Sequence, residues 1–149
     1  MRLFLCMVLG ALIVSPAVAQ TAERIDEILD QDELTVGAAA YIAAASGDVV
    51  PDSAGTEEAL SALGELGFPA DAVSADDPIR LDQFSYMLML SHERSGGMLY
   101  TLFPGPRYAL RELEHERVVR GGGDPGDTLT GSRGLRLVGR LITVADAEG

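Results

Sequence analysis

Arg80 is the first residue whose type and position could do chemistry, because it stands between an acidic turn and an apolar run in SADDPIRLDQFSYMLML. A guanidinium group presents a rigid fork of N–H donors that matches a carboxylate or a pyruvylated sugar. Asp76, Asp77 and Asp82 are close in sequence, so an internal ion pair is the simpler use of this charge. Arg80 is therefore a candidate ligand-binding residue, with an ion pair as the alternative.

A second candidate pair, Arg107 and Tyr108, lies in the proline-rich segment LYTLFPGPRY. Aromatic rings beside an arginine on such a turn are a common contact for a partner protein or a carbohydrate. In the alternative interpretation, which we favour for Tyr100 and Phe103, these two rings fill the junction between two helical units. Arg107 and Tyr108 are then the exposed pair that a ligand would meet.

Histidines and acidic loops could supply catalysis or a metal site. His92 and His115 are the only two histidines, and no cysteine or nucleophile motif accompanies them in SHER and LEHER. The loops DAVSADDP and GGGDPGDT hold the oxygen ligands that calcium prefers, but they lack the residue spacing of an EF-hand. We therefore predict no catalytic residue, no metal site and no cofactor, in a protein that is not an enzyme.

The N-terminus has the three parts of a secretory signal peptide. Arg2 precedes an apolar run over residues 3–14, a Ser-Pro break and the small residues at positions 17–19, which predicts cleavage before Gln20. The apolar run is shorter than the roughly 20 residues that span a bilayer, and the only cysteine, Cys6, lies within it. We expect an exported protein of the periplasm, cell envelope or medium, without disulfides and without membrane insertion after cleavage.

The charge of the chain restricts its partners. Eleven basic residues, all arginine, stand against 23 acidic residues, so the formal net charge is −12. A chain this acidic is repelled by nucleic acid and by anionic lipid surfaces. We therefore expect no nucleic-acid partner, and the same charge weighs against anionic wall polymers.

Helical periodicity runs through the rest of the chain. Thr35 is placed to cap a helix over TVGAAAYIAAASG, which Gly47 ends, and Thr56 is placed to cap a helix over TEEALSALGELGF. The apolar spacing also predicts a helix at residues 21–34 and another after Arg80. In the latter helix the residues predicted to face the core are Phe84, Met87 and Leu88.

An internal repeat organises these helices. Adding fifty to residues 56–91 gives residues 106–141 without a gap, which places Asp77 on Asp127 and Ile79 on Leu129. A forty-five-residue offset likewise brings Leu34 onto Ile79. The repeats cover about residues 22–47, 56–94 and 106–142. We therefore predict an all-α fold in which three short helix-loop-helix repeats pack into one compact domain over residues 20–142, after a signal peptide at 1–19 and before a flexible acidic tail at 143–149.

This repeat resembles the S-layer homology (SLH) domain, which usually occurs as three tandem copies. The family signature Ile-Thr-Arg-Ala-Glu at the start of the second helix corresponds here to LTVGA, IRLDQ and LTGSR, which begin at residues 34, 79 and 129. The apolar residue is kept in all three copies and the threonine in two. In the family the arginine contacts anionic cell-wall polysaccharide, and the nearest counterpart here is Arg80, one residue earlier.

These observations favour a non-enzymatic, secreted cell-envelope or periplasmic module that binds a cell-wall component or a partner protein. A groove in which Arg80, Arg107 and Tyr108 converge would favour cell-wall polysaccharide, whereas an exposed apolar patch would favour an envelope protein. A purely structural or assembly domain with no glycan ligand is the alternative. An enzyme would instead show a deep pocket with convergent titratable groups.

Overall fold

The fold is all-helical, as predicted. A computed structural model describes residues 16–148, and these form seven α-helices and one 3₁₀ turn at Ala70–Ala72. The helices are α1 (Pro16–Leu29), α2 (Val36–Ser46), α3 (Thr56–Glu65), α4 (Leu81–Ser91), α5 (Met98–Leu102), α6 (Pro106–His115) and α7 (Gly131–Glu148). The predicted signal peptide falls mainly on residues 1–15, which lie outside the described residues.

Helix α2 lies in the core because its sequence is mostly small and apolar on every side, and all nine residues at 36–44 are buried. Thr35 caps it as predicted, since its Oγ1 accepts a hydrogen bond from the N–H of Ala38 at 3.2 Å. Gly47 ends it, also as predicted, at the point where it touches α4. A Cβ at Gly47 would collide with the carbonyl oxygen of Ser91, so this close approach requires glycine.

Helix α4 is the second central helix, and Phe84, Met87 and Leu88 are all buried in it, as predicted. Arg80 is its N-cap residue and has an extended backbone. The N–H of Arg80 donates to Oε1 of Gln83 at 3.1 Å, which satisfies one of the donors that a helix start leaves unpaired. This capping bond sets where α4 begins.

The first residues of α2, α4 and α7 are joined in a closed ring of backbone hydrogen bonds. The first residue of each helix donates its backbone N–H to a carbonyl in the loop before the next helix: α2 to the loop before α4, α4 to the loop before α7, and α7 to the loop before α2. The bonds run from Val36 to Asp77, from Leu81 to Asp127 and from Gly131 to Gln31, with N···O distances of 2.8, 2.8 and 2.9 Å. These loops therefore satisfy helix-terminal donors that would otherwise be buried without partners.

Leu34, Ile79 and Leu129 each stand two residues before one of the three donors of this ring, and all three are buried. The N–H of Ile79 donates to the carbonyl of Leu34 at 2.8 Å, and the N–H of Leu34 donates to the carbonyl of Leu129 at 2.6 Å. Each helix of the ring also packs against the helix that precedes the next member of the ring. These packed pairs are α2 with α3, α4 with α6, and α7 with α1. The packing of the last helix on the first closes the domain.

Chain segments related by the two sequence offsets share local geometry. Asp48 and Glu93, forty-five residues apart, follow α2 and α4 with φ values of 57° and 48°. Asp77 and Asp127, fifty residues apart, each accept a hydrogen bond at 3.2 Å from the backbone N–H three residues earlier. Asp77 and Asp127 therefore hold the loops in shape, which is an architectural use of their carboxylates.

Three features differ from the sequence prediction. Thr56 is the first residue of α3, and Gly55 is its N-cap. Residues 99–102, which begin the proline-rich segment LYTLFPGPRY, form the short helix α5 together with Met98. Helix α7 continues through residues 143–148 to Glu148. None of the described helices is long and apolar enough to cross a membrane.

Candidate functional site

The guanidinium of Arg80 forms an ion pair with Asp82, in the first turn of α4. Its Nε and Nη2 donate to Oδ1 and Oδ2 of Asp82 at 3.1 and 3.0 Å, a bidentate ion pair. The hydrogen bond to Asp82 raises the pKa of Arg80. Asp82 is mostly buried and also accepts from the backbone N–H of Gln83 at 2.8 Å. The ion-pair alternative for Arg80 is therefore what the structure shows, and the pair stabilises the start of α4.

Arg107 and Tyr108 lie at the start of α6. Arg107 is exposed, whereas Tyr108 is partly buried and packs against the core. The ring of Tyr108 also lies 6.3 Å from that of Phe103, measured between centroids. Within residues 16–148, no hydrogen bond, ion pair or ring contact joins Arg80 to either residue.

The positions that align with the arginine of the SLH signature are core positions here. They are Val36, Leu81 and Gly131, which are all buried. Their backbone N–H groups belong to the ring described above. An arginine at any of them would place a charge inside the domain, which is costly without a partner.

No known protein family, characterised protein or solved structure matches this chain. Its function therefore has to be inferred from its own surfaces, of which three differ from an ordinary solvated helix face.

The first surface is the α5 patch, formed by Met98, Leu99 and Leu102 of α5 and by Phe103, which follows this helix. Met98, Leu102 and Phe103 are 75, 62 and 61% exposed, which is unusual for large apolar side chains that lie so close together in sequence. Phe103 was predicted to fill the junction between helical units, and that prediction is wrong. A helix of five residues has room for one inward-facing anchor, and that anchor is Tyr100.

Tyr100 holds α5 to the body of the domain. Its ring is buried and meets the ring of Tyr86 edge-on at 6.4 Å between centroids. Burial, with a smaller contribution from Tyr86, raises the pKa of Tyr100 to about 12. The prediction that Tyr100 belongs to the core is confirmed, and its anchoring leaves the four apolar residues of the α5 patch on the outside.

The second surface is an arginine cluster that sequence reasoning missed. Two adjoining depressions of about 190 and 540 Å³ lie between α7 and the turn after α6. The arginines that line them are Arg117, Arg120, Arg133, Arg136 and Arg140. The spacing of the last three in SRGLRLVGR, at i, i+3 and i+7, places them on one helix face and is the sequence feature that could have revealed the cluster.

The third surface surrounds His92, where α2 and α4 end together. Nε2 of His92 lies 3.0 Å from Oγ of Ser46, in a hydrogen bond between the two helix ends. Burial of the ring lowers the pKa of His92, and Arg94 lowers it further, while Asp48 acts in the opposite direction. Across residues 16–148, no group of three or more His, Cys, Asp or Glu side chains could hold a metal ion.

The lowered pKa of His92 predicts a loss of stability in mild acid. Because the folded protein favours the neutral ring, the unfolded chain takes up a proton first, near the ordinary pKa of 6.5. The stabilisation is complete above pH 6.5 and is lost as the pH falls from there through the lower pKa of the folded state. The melting temperature should therefore decrease more between pH 7.5 and pH 5.5 for the wild type than for His92→Gln.

His115 supplies the matched control for this measurement, because it is exposed at the end of α6. His115→Gln should follow the wild type between the two pH values. An equal acid-induced fall in all three proteins would mean that carboxylates alone cause it.

Proposed function

We propose that this chain is an exported, non-enzymatic module of the cell envelope that binds a partner protein through the α5 patch. The observation that carries this proposal is the exposure of Met98, Leu99, Leu102 and Phe103 on a helix that Tyr100 fixes in place. Several large apolar side chains exposed together in this way typically mark a protein–protein contact. An ordered helix also loses little conformational entropy on binding, which favours affinity.

The scaffold of the module is, in this proposal, an SLH-like set of three helix-loop-helix repeats. The pairs are α1 with α2, α3 with α4, and α6 with α7. Two observations support it: the hydrogen-bond ring passes once through each pair, and chain segments at the forty-five- and fifty-residue offsets share local geometry. Helix α5 lies between the second and third pairs, so the α5 patch is an addition to the repeat.

A partner protein is favoured over cell-wall polysaccharide by the state of the arginines. The guanidinium of Arg80 is already in a bidentate ion pair with Asp82. The positions that align with the arginine of the SLH family are buried. The α5 patch, in contrast, offers apolar side chains and few groups that a sugar hydroxyl would need.

The size of the α5 patch indicates the kind of partner. Four side chains expose much less than the roughly 800 Å² that each protein contributes to a standard stable interface. A homodimer formed through this patch alone would therefore be weak. A short helix with adjacent apolar anchors instead fits the mode in which a helix enters an apolar groove of its partner. We propose that the partner presents such a groove.

Export is compatible with the packing of α1. Cleavage before Gln20 would remove the first residues of α1 but keep its contacts with the body. Arg24 donates to the carbonyl of Ala54 at 2.6 Å and stacks over the ring of Tyr41 at 4.7 Å. Ile28 is buried. All of these contacts follow the proposed cleavage point.

Photo-crosslinking in cells of the source organism tests the proposal. A photoreactive phenylalanine analogue at position 103 should yield an adduct with one other protein, and the adduct should lack residues 1–19 by intact mass. The same analogue at Ser61, which is exposed on α3, should not. With the purified partner, Leu102→Asp should weaken binding at least tenfold, as expected for an interface anchor.

Three results would contradict the proposal. One is crosslinking only to lipid or to a second copy of this chain. Another is equal capture of the same protein from positions 61 and 103. The third is an unchanged dissociation constant for Leu102→Asp with the purified partner.

A further inference from the structure

The arginine cluster is unexpected in so acidic a protein. Five of the eleven basic residues of a chain with a net charge of −12 line one pair of depressions. Like charges this close destabilise the domain unless something neutralises them. On ordinary protein surfaces, neighbouring carboxylates neutralise such clusters. The groups around these five guanidinium groups therefore show whether the protein itself supplies the counter-charge.

No carboxylate within the described part of the chain forms an ion pair with any of the five. The only acidic residue that lines either depression is Glu116, at the edge of the larger one. Its Oε1 lies 3.0 Å from Nη2 of Arg94, so that carboxylate is already paired. The smaller depression is lined by Arg120, Arg133, Arg136 and Arg140 with Val119 and Leu137, and by no acid.

Two of these arginines are held in place by backbone carbonyls. Nη1 of Arg140 donates to the carbonyl of Val118 at 3.3 Å, and Nε of Arg120 donates to the carbonyl of Arg117 at 3.2 Å. Each guanidinium has further N–H donors that these bonds leave available. The cluster is therefore partly preorganised, which lowers the entropy cost of binding an anion.

Size and charge define the ligand. A depression of about 190 Å³ is smaller than the roughly 300–1,000 Å³ of pockets for drug-sized molecules. The acidic remainder of the protein repels long polyanions, whereas a compact ligand is attracted within the screening length of roughly 8–10 Å. A guanidinium group binds phosphate oxygens in bidentate geometry. The four arginines of the smaller depression offer more donors than the oxygens of one phosphate group can accept.

We propose that Arg120, Arg133, Arg136 and Arg140 form a binding site for an anion of two or more linked phosphates, with Arg117 at its rim. Such a group occurs free, as pyrophosphate or short polyphosphate, or as part of a nucleoside diphosphate. The site is separate from the α5 patch and does not depend on the partner protein proposed above.

Calorimetric titration and thermal melting at constant ionic strength test this site, with pyrophosphate, tripolyphosphate, ADP and orthophosphate as separate probes. Pyrophosphate and tripolyphosphate should bind and raise the melting temperature, with orthophosphate at least tenfold weaker. ADP binding as tightly as pyrophosphate would assign the site to nucleotide diphosphates, and weaker ADP binding would assign it to the free anions. Affinity should fall as sodium chloride rises.

Variants on exposed positions keep the test independent of folding. Arg136→Gln should weaken pyrophosphate binding at least tenfold, whereas Arg111→Gln, an exposed arginine outside both depressions, should not, although it changes the net charge equally. Gly139 lies on α7 between Arg136 and Arg140, and a Cβ there meets no atom within 4 Å. Gly139→Glu should therefore abolish binding while Gly139→Gln retains it.

The proposal is overturned if no probe binds at millimolar concentration, or if orthophosphate binds as tightly as pyrophosphate. It is also overturned if Arg111→Gln weakens binding as much as Arg136→Gln, because the effect would then follow net charge alone.

Discussion

Replacing Gly131 with alanine should lower the free energy of unfolding by about 3 kcal/mol, the upper part of the range for overpacked sites. Gly131 begins α7 and is buried where α7 meets the end of α1. A Cβ there would collide with the carbonyl oxygen of Ile28 and lie 2.6 Å from its carbonyl carbon. Because these are backbone atoms, no side-chain rotation relieves the clash, and the α1–α7 contact has to open.

Gly139→Ala is the matched control, since it adds the same methyl group to the same helix. Gly139 is exposed and a Cβ there meets nothing within 4 Å. This variant should be more stable than the wild type by roughly 0.5–1 kcal/mol, because alanine loses less backbone entropy in a helix than glycine does. Urea denaturation followed by far-ultraviolet circular dichroism measures both. Equal effects of the two changes would refute the closed ring as a source of stability.

Arg94→Ala should cost about 2 to 3 kcal/mol of unfolding free energy, because it leaves a mostly buried carboxylate without its counter-charge. Nη2 of Arg94 lies 3.0 Å from Oε1 of Glu116, and the two side chains are only 14 and 16% exposed. The pair joins the chain after α4 to the end of α6. Loss of the pair should therefore loosen the packing between these two helices.

The double variant Arg94→Met, Glu116→Leu separates the ion pair from the packing around it. Apolar residues of similar volume remove both charges together, so most of the lost stability should return. The same denaturation assay measures this recovery. A double variant as unstable as Arg94→Ala would show that the site depends on side-chain shape and that the unpaired charge matters little.

Much of the helical framework could be predicted because its determinants are local. Thr35 and Gly47 mark the two ends of α2 through cap chemistry. The apolar spacing after Arg80 places Phe84 in the core. The ion pair between Arg80 and Asp82 was also foreseeable, since its partners are two residues apart.

The surfaces were harder to predict because they depend on tertiary packing. Helix α5 has five residues, too few for a periodic pattern and too few for stability as an isolated helix. The exposure of Phe103 follows from the anchoring of Tyr100, which the sequence alone does not separate from it. The arginine cluster combines the turn after α6 with a face of α7, and only the packing of α7 beside that turn brings the two groups together.

The closed ring also bears on when the chain can fold. Domains often begin to fold from the N-terminus during synthesis, but here α1 packs against α7, which is synthesised after the other six described helices. Until Leu129 and Gly131 have left the ribosome, Leu34 lacks its hydrogen bond to Leu129, and the carbonyl of Ile28 lacks its close contact with Gly131. The nascent chain therefore cannot complete this core before α7 has been synthesised. This timing would keep the nascent chain incompletely folded, as the export that we propose requires.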